Sequence, residues 1–383
     1  MSWVARTASK SLLLLAIGML FGACRPEIPL VGLGIDDTYA VPRMKALVLH
    51  PQYTGSRYIW TSPDNTGRDS VVSEERDLVF FSVDTGTFRY RLQIEDAENP
   101  YTHEVKIVVW EEEVAYSPYI ARVYEYCPAP GQFVNLLPVY EKGDTYASMC
   151  RKAEQSISGT NNTLISLGAY GGYVTFGFDH SVMNVAGEYD FRIYGNAFYA
   201  SSGAAQGGSS EPGIVMVSLD RNQNGLPDDE WFELAGSEYA KPETVHGYQI
   251  VYTRSDTAEI RYTDNLGGVG FIPRNSYHTQ EYFPQWAEGA SLRFGGTKLA
   301  DNFKPEGNSY AFFPYDWGYA DNHPNEEAEK SSFKIDWAVD ANGKPVYLPC
   351  IDFVRVYTGV NQVCGWLGET STEISKAEDL HNL

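Results

Sequence analysis

The stretch Thr85–Asp96, TGTFRYRLQIED, decides the fold class. Phe88, Tyr90, Leu92 and Ile94 alternate with Arg89, Arg91, Gln93 and Glu95. Successive side chains of a strand point to opposite faces, so one face is apolar and the other charged, which predicts a half-buried antiparallel strand. EVKIVVW, residues 104–110, repeats the pattern through Val105, Ile107 and Val109. Upstream, SRYIWTS places Trp60 where a sandwich core takes a large ring. The same grammar runs through the chain. Aromatic-rich short runs, with 27 Tyr and 18 Phe, are punctuated by 35 Gly and 20 Pro, and few stretches show a helical period. The class is therefore all-β.

Residues 25–113 read as a first unit, an immunoglobulin/PKD-like β-sandwich. Its layout resembles PKD-like members of the immunoglobulin-like sandwiches: a core Trp, then Asp84, Gly86 and Phe88 in a D-x-G-x-F order leading a long strand. The W-x-F-G-D-G turn of the strict motif is absent. EEEVAYSPY, residues 111–119, reads as a hinge, an acidic run followed by Ser117–Pro118. Residues 120–383 read as one larger, jelly-roll-like β domain, with strand signals in YGGYVTFGF, YDFRIYGNAF, GIVMVSLD, GYQIVYTR, SLRFGG and IDFVRVYTG. Asn342–Gly343 is the strongest hairpin signal, and SSGAAQGGSS, residues 201–210, has the composition of a flexible surface loop.

The first 23 residues stand apart. Arg6 and Lys10 precede the short apolar run SLLLLAIGMLFGA, the pattern of a secretory signal peptide. FGAC, residues 21–24, resembles a bacterial lipobox, with Phe21 in place of the usual Leu, so Cys24 is the expected lipidated N-terminus. The formal net charge of −21 becomes two units more negative once residues 1–23 are removed. So acidic a surface repels nucleic acid and anionic headgroups, leaving the lipid as the only expected membrane contact. Four cysteines remain: Cys127, Cys150, Cys350 and Cys364. An oxidising compartment makes them disulfide candidates, with proximity favouring Cys127–Cys150 and Cys350–Cys364 among three connectivities.

SLDRNQNGLPDDEWFEL, residues 218–234, carries the one metal-type spacing, D-x-N-x-N-G-x-x-D. Asp220, Asn222, Asn224 and Asp228 would offer side-chain oxygens, Leu226 its carbonyl, and Glu230 a further carboxylate, with Gly225 at the sharp turn. Trp231 replaces the closing Glu of an EF-hand, so the expectation is a structural calcium loop set between strands. A solvated Asx-turn connector would use the same residue types.

No HExxH, GxSxG or Walker-type sequence occurs, which leaves no motif for a zinc hydrolase, a serine esterase or a nucleotide-binding loop. Carboxylates are too numerous for spacing to nominate a glycosidase pair; Asp316, Asp321 and Asp336 fit a solvated sandwich rim. Aromatic stretches offer ligand-binding candidates in Trp286, Tyr315, Trp317 and Tyr319, where rings stand beside Asp and Asn; core packing would also use them.

SLGAYGGYVTFGFDH, SSEPGIVMVSLDRNQNGLPDDEWFELAGSEY, WGYADNHPN and IDFVRVYTGVNQVCGWLGETSTEI together resemble the surface lipoproteins of Bacteroides-type bacteria that carry a PKD-like N-terminal module. The resemblance implies an outer-membrane-anchored, surface-exposed protein. Relatives sit beside TonB-dependent receptors, some devoted to corrinoid uptake, and the family has no agreed enzymatic activity. The expectation is therefore non-catalytic binding of a glycan or corrinoid-type nutrient, or of a transporter partner. The alternatives are a glycan-active hydrolase with a carboxylate pair and a structural or adhesive surface protein.

Overall fold

The computed structural model describes residues 32–381 except 65–66, 97–100, 114, 201–206, 256–258 and 307–308. Cys24 and the leader lie outside the described residues.

The opening stretch forms strand Gly86–Glu95, with Leu92 and Ile94 buried and Arg89, Gln93 and Glu95 exposed. It lies between Tyr101–Trp110 and Arg57–Pro63 in a five-stranded sheet completed by Thr38–Pro42 and Asp69–Ser73. Thr38–Pro42 runs parallel to its neighbour, and the other pairs are antiparallel. The apolar face closes on the pair Leu47–Leu49 and Leu78–Phe80, with Trp60 at the centre, fully buried, its indole N–H donating to the Arg76 carbonyl at 3.2 Å. Among the described residues no strand of this unit pairs with one beyond residue 122.

The larger unit is organised on a six-stranded antiparallel sheet, ordered Ala338–Val339, Trp231–Leu234, Gly213–Ser218, Cys350–Thr358, Tyr173–Met183 and Arg122–Cys127. Alternation sends Val174, Phe176, Val215, Val217, Val354 and Val356 to one face and Tyr173, Ile214, Met216 and Tyr357 to the other. Both faces are covered. On the first lie helix Tyr146–Ile157 and the strands Phe191–Tyr194 and Lys376–Asp379; on the second lies the four-stranded sheet of Val245–Thr253, Ile260–Asp264, Val269–Ile272 and Ser291–Lys298. The β-sandwich therefore gains a third layer, which explains the run of apolar residues without polar alternation in GIVMVS.

The helix is the element that the periodicity did not indicate. Its buried positions Met149, Cys150, Ala153 and Ile157 have helical spacing, and Thr145 and Ser148 close a capping box. Among interspersed Ser, Lys and Gln that stripe is too thin to stand out. The Asn342–Gly343 turn forms as expected, with Gly343 at φ +74° and the Asp340 N–H donating to the Lys344 carbonyl at 2.9 Å.

The two units meet where the turn Arg43–Ala46 docks on strand Tyr173–Met183. The Ser181 N–H donates to the Met44 carbonyl at 2.9 Å, the Ala46 N–H to Ser181 Oγ at 3.2 Å, and Lys45 Nζ to the Asp179 carbonyl at 2.5 Å. Burial pulls the Lys45 ammonium below its ordinary value, against the pull of Asp352 and Asp179.

In the structure all four cysteines are free thiols. Cys350 pairs with Met183 at one end of its strand, whereas Cys364 lies beyond the other end at Thr358. A strand of that length spans roughly 26 Å, far outside disulfide reach. Cys127 and Cys150 approach one another around the Tyr146 hydroxyl, and burial raises both thiols.

Glu233, on Trp231–Leu234, gives a pH prediction. Burial pushes its carboxyl up to about 7, partly offset by the hydrogen bond donated by Thr297 Oγ1 at 2.6 Å. The folded state holds that proton where the unfolded chain has released it, so stability falls as pH rises from the ordinary carboxylate range through about 7. Glu233→Gln should flatten that part of a urea-denaturation pH profile; an unchanged slope would show that Glu233 is not its source.

Candidate functional site

The Asp/Asn loop sits between strands Gly213–Ser218 and Trp231–Leu234. Its polar groups turn inward. The Asp220 carboxylate accepts from the Asn224 and Gly225 N–H groups at 3.1 and 2.8 Å, Asn224 Oδ1 from the Leu226 N–H at 2.7 Å, and Asn222 Oδ1 from the Asn224 N–H at 3.0 Å. Asp228 accepts from the Asn222 and Asn224 side-chain amides at 2.9 and 3.0 Å, and these bonds lower its pKa. Asp220, Asn222, Asn224 and Asp228 thus form one knot. The inward carboxylate beside it is Asp229, which accepts from the Arg221 and Asn222 N–H groups, while Glu230 is exposed and contributes its carbonyl to Ser218 Oγ. Gln223 Nε2 donates to the Ala46 carbonyl at 3.3 Å, tying the loop to the N-terminal unit.

The expected aromatic platform is not one surface. Trp286 is stacked between Tyr126 and Tyr140 in the core, Tyr319 is buried, and Tyr315 packs edge-on against Tyr319. Trp317 is half-buried against Trp337, with ring centroids 4.6 Å apart. These rings fill the interior because a sheet covered on both faces has twice the area to pack.

A different cleft gathers the chemistry. It has a volume of about 460 Å³, and its rim holds Trp366 and Tyr277, exposed by 50% and 74%, with ring centroids 6.0 Å apart. Phe133, His278 and Phe312 continue the apolar lining, and Gln132, Asn196 and Asn275 add amides. Its acidic side groups Glu211, Glu369 and Glu373, with Asp321 immediately behind.

Long-range contacts build this cluster. Glu211 follows the short strand Gly208–Ser209, so Ser209, from the expected surface loop, lies in the cleft wall; residues 201–206 lie outside the described residues. The Glu211 carboxylate accepts from Ser209 Oγ and the Ser371 N–H, each at 3.3 Å, and brings one oxygen within 4.8 Å of an oxygen of Glu373. Glu373 accepts from Ser371 Oγ at 2.7 Å. Asp321, at φ +51°, accepts from the Asn196, Ala197 and Glu373 N–H groups at 2.7, 2.9 and 2.9 Å. Asp321 is thus buried, which corrects its reading as solvated rim; Asp316 and Asp336 are exposed. Glu369 Oε1 accepts from the Gln132 N–H at 2.6 Å, and its Oε2 is buried with no partner among the described residues. Two glycines allow these approaches: a Cβ at Gly195 would lie 2.2 Å from Asp321 Oδ1, and one at Gly131 would lie 2.8 Å from Glu369 Oε1.

Electrostatically the cluster is unbalanced. Burial is the main cause that raises each carboxyl: Glu211 to about 7, Glu369 to about 8, and Glu373 and Asp321 well above the usual range. The negative charge of Glu211 adds to the rise in the other three, and among the described residues no Lys or Arg opposes it. The other hollows differ. A larger one, about 780 Å³ between the two units, is lined by residues such as His50, Arg76, Arg221 and Tyr347, and the one beside Trp286, about 370 Å³, is mainly apolar.

No family model and no curated protein matches the chain. Among solved structures it is similar to the SusE-like protein BT2857, at 10% identity and a TM-score of 0.28, covering 88% of this chain and 94% of that one. It is also similar to a carbohydrate-binding module of the beta-sandwich super family, at 8% identity and a TM-score of 0.15, covering 88% and 93%. At those values neither likeness extends to function. Among the described residues no helix is long and apolar enough to cross a membrane.

Proposed function

We propose that this protein is a lipid-anchored, surface-exposed binding protein that holds a glycan in the acidic cleft without transforming it. The observation that carries this reading is the exposed Trp366–Tyr277 pair standing beside amides and carboxylates in one hollow. Rings stack on the apolar face of a sugar, and carboxylates and amides take its hydroxyl hydrogen bonds. Transformation is a poorer fit. A glycosidase needs its two carboxyls roughly 5–5.5 or 6.5–9.5 Å apart, with the anomeric carbon between them. Glu211, Asp321 and Glu373 each bring one oxygen within 4.8 Å of the others, closer than either separation.

In this reading Cys24 bears the lipid, the N-terminal sandwich lifts the larger unit from the outer membrane, and captured ligand passes to a neighbouring TonB-dependent transporter. A calcium ion at Asp220, Asn222, Asn224, Asp228 and the Leu226 carbonyl would brace the loop against the N-terminal unit, with Glu230 outside the set. The hydrogen bonds that hold Asp220 and Asp228 in the turn, and the Gln223–Ala46 hydrogen bond, support that structural role.

The test is a panel of glycans and corrinoids presented to the soluble chain beginning after Cys24, with chromatography of the recovered ligand. The expected result is retention of at least one glycan class, recovered intact. Shortened glycan would make the protein an enzyme, and exclusive corrinoid binding would replace the proposed ligand.

A further inference from the structure

Three carboxylates from distant parts of the chain converge at the cleft floor. One oxygen each from Glu211, Asp321 and Glu373 lie within 4.8 Å of one another. Oxygens bound to one calcium ion at about 2.3–2.6 Å can lie up to about 4.6–5.2 Å apart, a range compatible with that separation. Asp321 and Glu373 are 4% and 3% exposed, so water cannot disperse their charge. A buried carboxylate cluster with no cationic side chain is costly unless protons or a metal neutralise it.

A second observation is independent of that cluster's geometry. Glu369 lines the same cleft, is 4% exposed, and has one oxygen satisfied by Gln132 while Oε2 has no partner among the described residues. A buried carboxylate oxygen left without a donor is costly, and a water held in the cleft by a bound cation would satisfy it. The bonds that Asp321 already accepts do not preclude coordination, since each carboxylate oxygen has two acceptor sites. The cleft also gives an ion an entry path from solvent.

We propose that Glu211, Asp321 and Glu373 bind a divalent cation, calcium by their all-oxygen donor set, with Glu369 completing the negative wall through its free oxygen. The site is separate from the Asp220–Asp228 loop. Zinc would prefer nitrogen or sulfur donors, and magnesium a stricter octahedron with several retained waters. The ion would staple the segments around residues 211, 321 and 373 into one wall. Ligand capture would then require calcium, a consequence that rests on the cleft being the binding site; the cation site itself does not.

The experiment is calorimetric titration of the chelator-stripped soluble chain with calcium chloride, with magnesium and zinc chlorides as comparators and no glycan present. In an Asp220→Asn/Asp228→Asn background, which weakens the loop, one calcium-binding event should remain. Adding Glu211→Gln/Glu373→Gln should weaken that event at least about tenfold, because two anionic ligands are lost. These isosteric changes also remove buried charge, so circular dichroism should show an intact fold. Should the double change fail to fold, Glu369→Gln alone should lower calcium affinity severalfold. No calcium binding in the loop-silenced protein, or binding indifferent to these substitutions, overturns the proposal. A glycan that binds equally well after chelation would sink only the capture requirement; a failed glycan panel with calcium binding intact would sink only the glycan reading.

Discussion

Asp321→Ala should cost the fold about 3 kcal/mol or more in urea denaturation, while Asp321→Asn should cost roughly half of that. The alanine leaves the Asn196, Ala197 and Glu373 N–H groups without their acceptor in a buried site. Each orphaned donor costs roughly 1–3 kcal/mol. The residue also sits at φ +51°, a conformation that Asn tolerates and Ala resists. Opposing these losses, the substitution removes a buried charge beside Glu211 and Glu373. Asparagine removes the same charge yet keeps one acceptor oxygen and the left-handed preference, so the pair of variants separates the two effects. An alanine variant as stable as the wild type would mean that carboxylate repulsion outweighs the three hydrogen bonds.

Trp60→Ala should destabilise the N-terminal unit by about 3–5 kcal/mol, the usual cost of emptying a core ring site. Trp60 is fully buried among Leu92, Ile94, Val105 and Ile107, and its removal also leaves the Arg76 carbonyl without its donor. This unit shares no strand pairing with the larger one among the described residues. Calorimetric melting should therefore move one transition far more than the other. Equal shifts in both would show that the docking of Arg43–Ala46 couples the units into one cooperative system.

The strands were legible because each half-buried segment carries its own period. TGTFRYRLQIED and EVKIVVW state their inward faces residue by residue, and the Asp/Asn loop states its turn through Gly225 and its neighbours. The third layer was not legible, since an apolar run such as GIVMVS is compatible with several modes of burial. The cleft was hidden for a different reason. Glu211, Asp321, Glu369 and Glu373 are brought together by strand pairing across the whole larger unit, and nothing local distinguishes them among 50 acidic residues. One signal was present: GETSTEIS, residues 368–375, is a polar run that the structure buries throughout. Its polar groups meet each other and other buried polar groups: Ser371 Oγ donates to Glu373 at 2.7 Å and contacts the Ser166 hydroxyl at 2.7 Å. The aromatic candidates erred in the opposite direction, because ring-rich segments such as YFPQWAEG are what a two-faced core consumes. Trp366, in a short glycine-flanked turn, is by contrast half exposed at the cleft rim.

The central claim, that the acidic cleft is where ligand binds, is tested most directly by calorimetry of Trp366→Ala against wild type with the tightest glycan from the panel. Half of the Trp366 surface is already exposed, so its truncation should leave the melting temperature nearly unchanged. Affinity should fall at least about tenfold, as expected for losing a stacking ring. An affinity equal to wild type, with the fold intact, would place the ligand elsewhere and contradict the account.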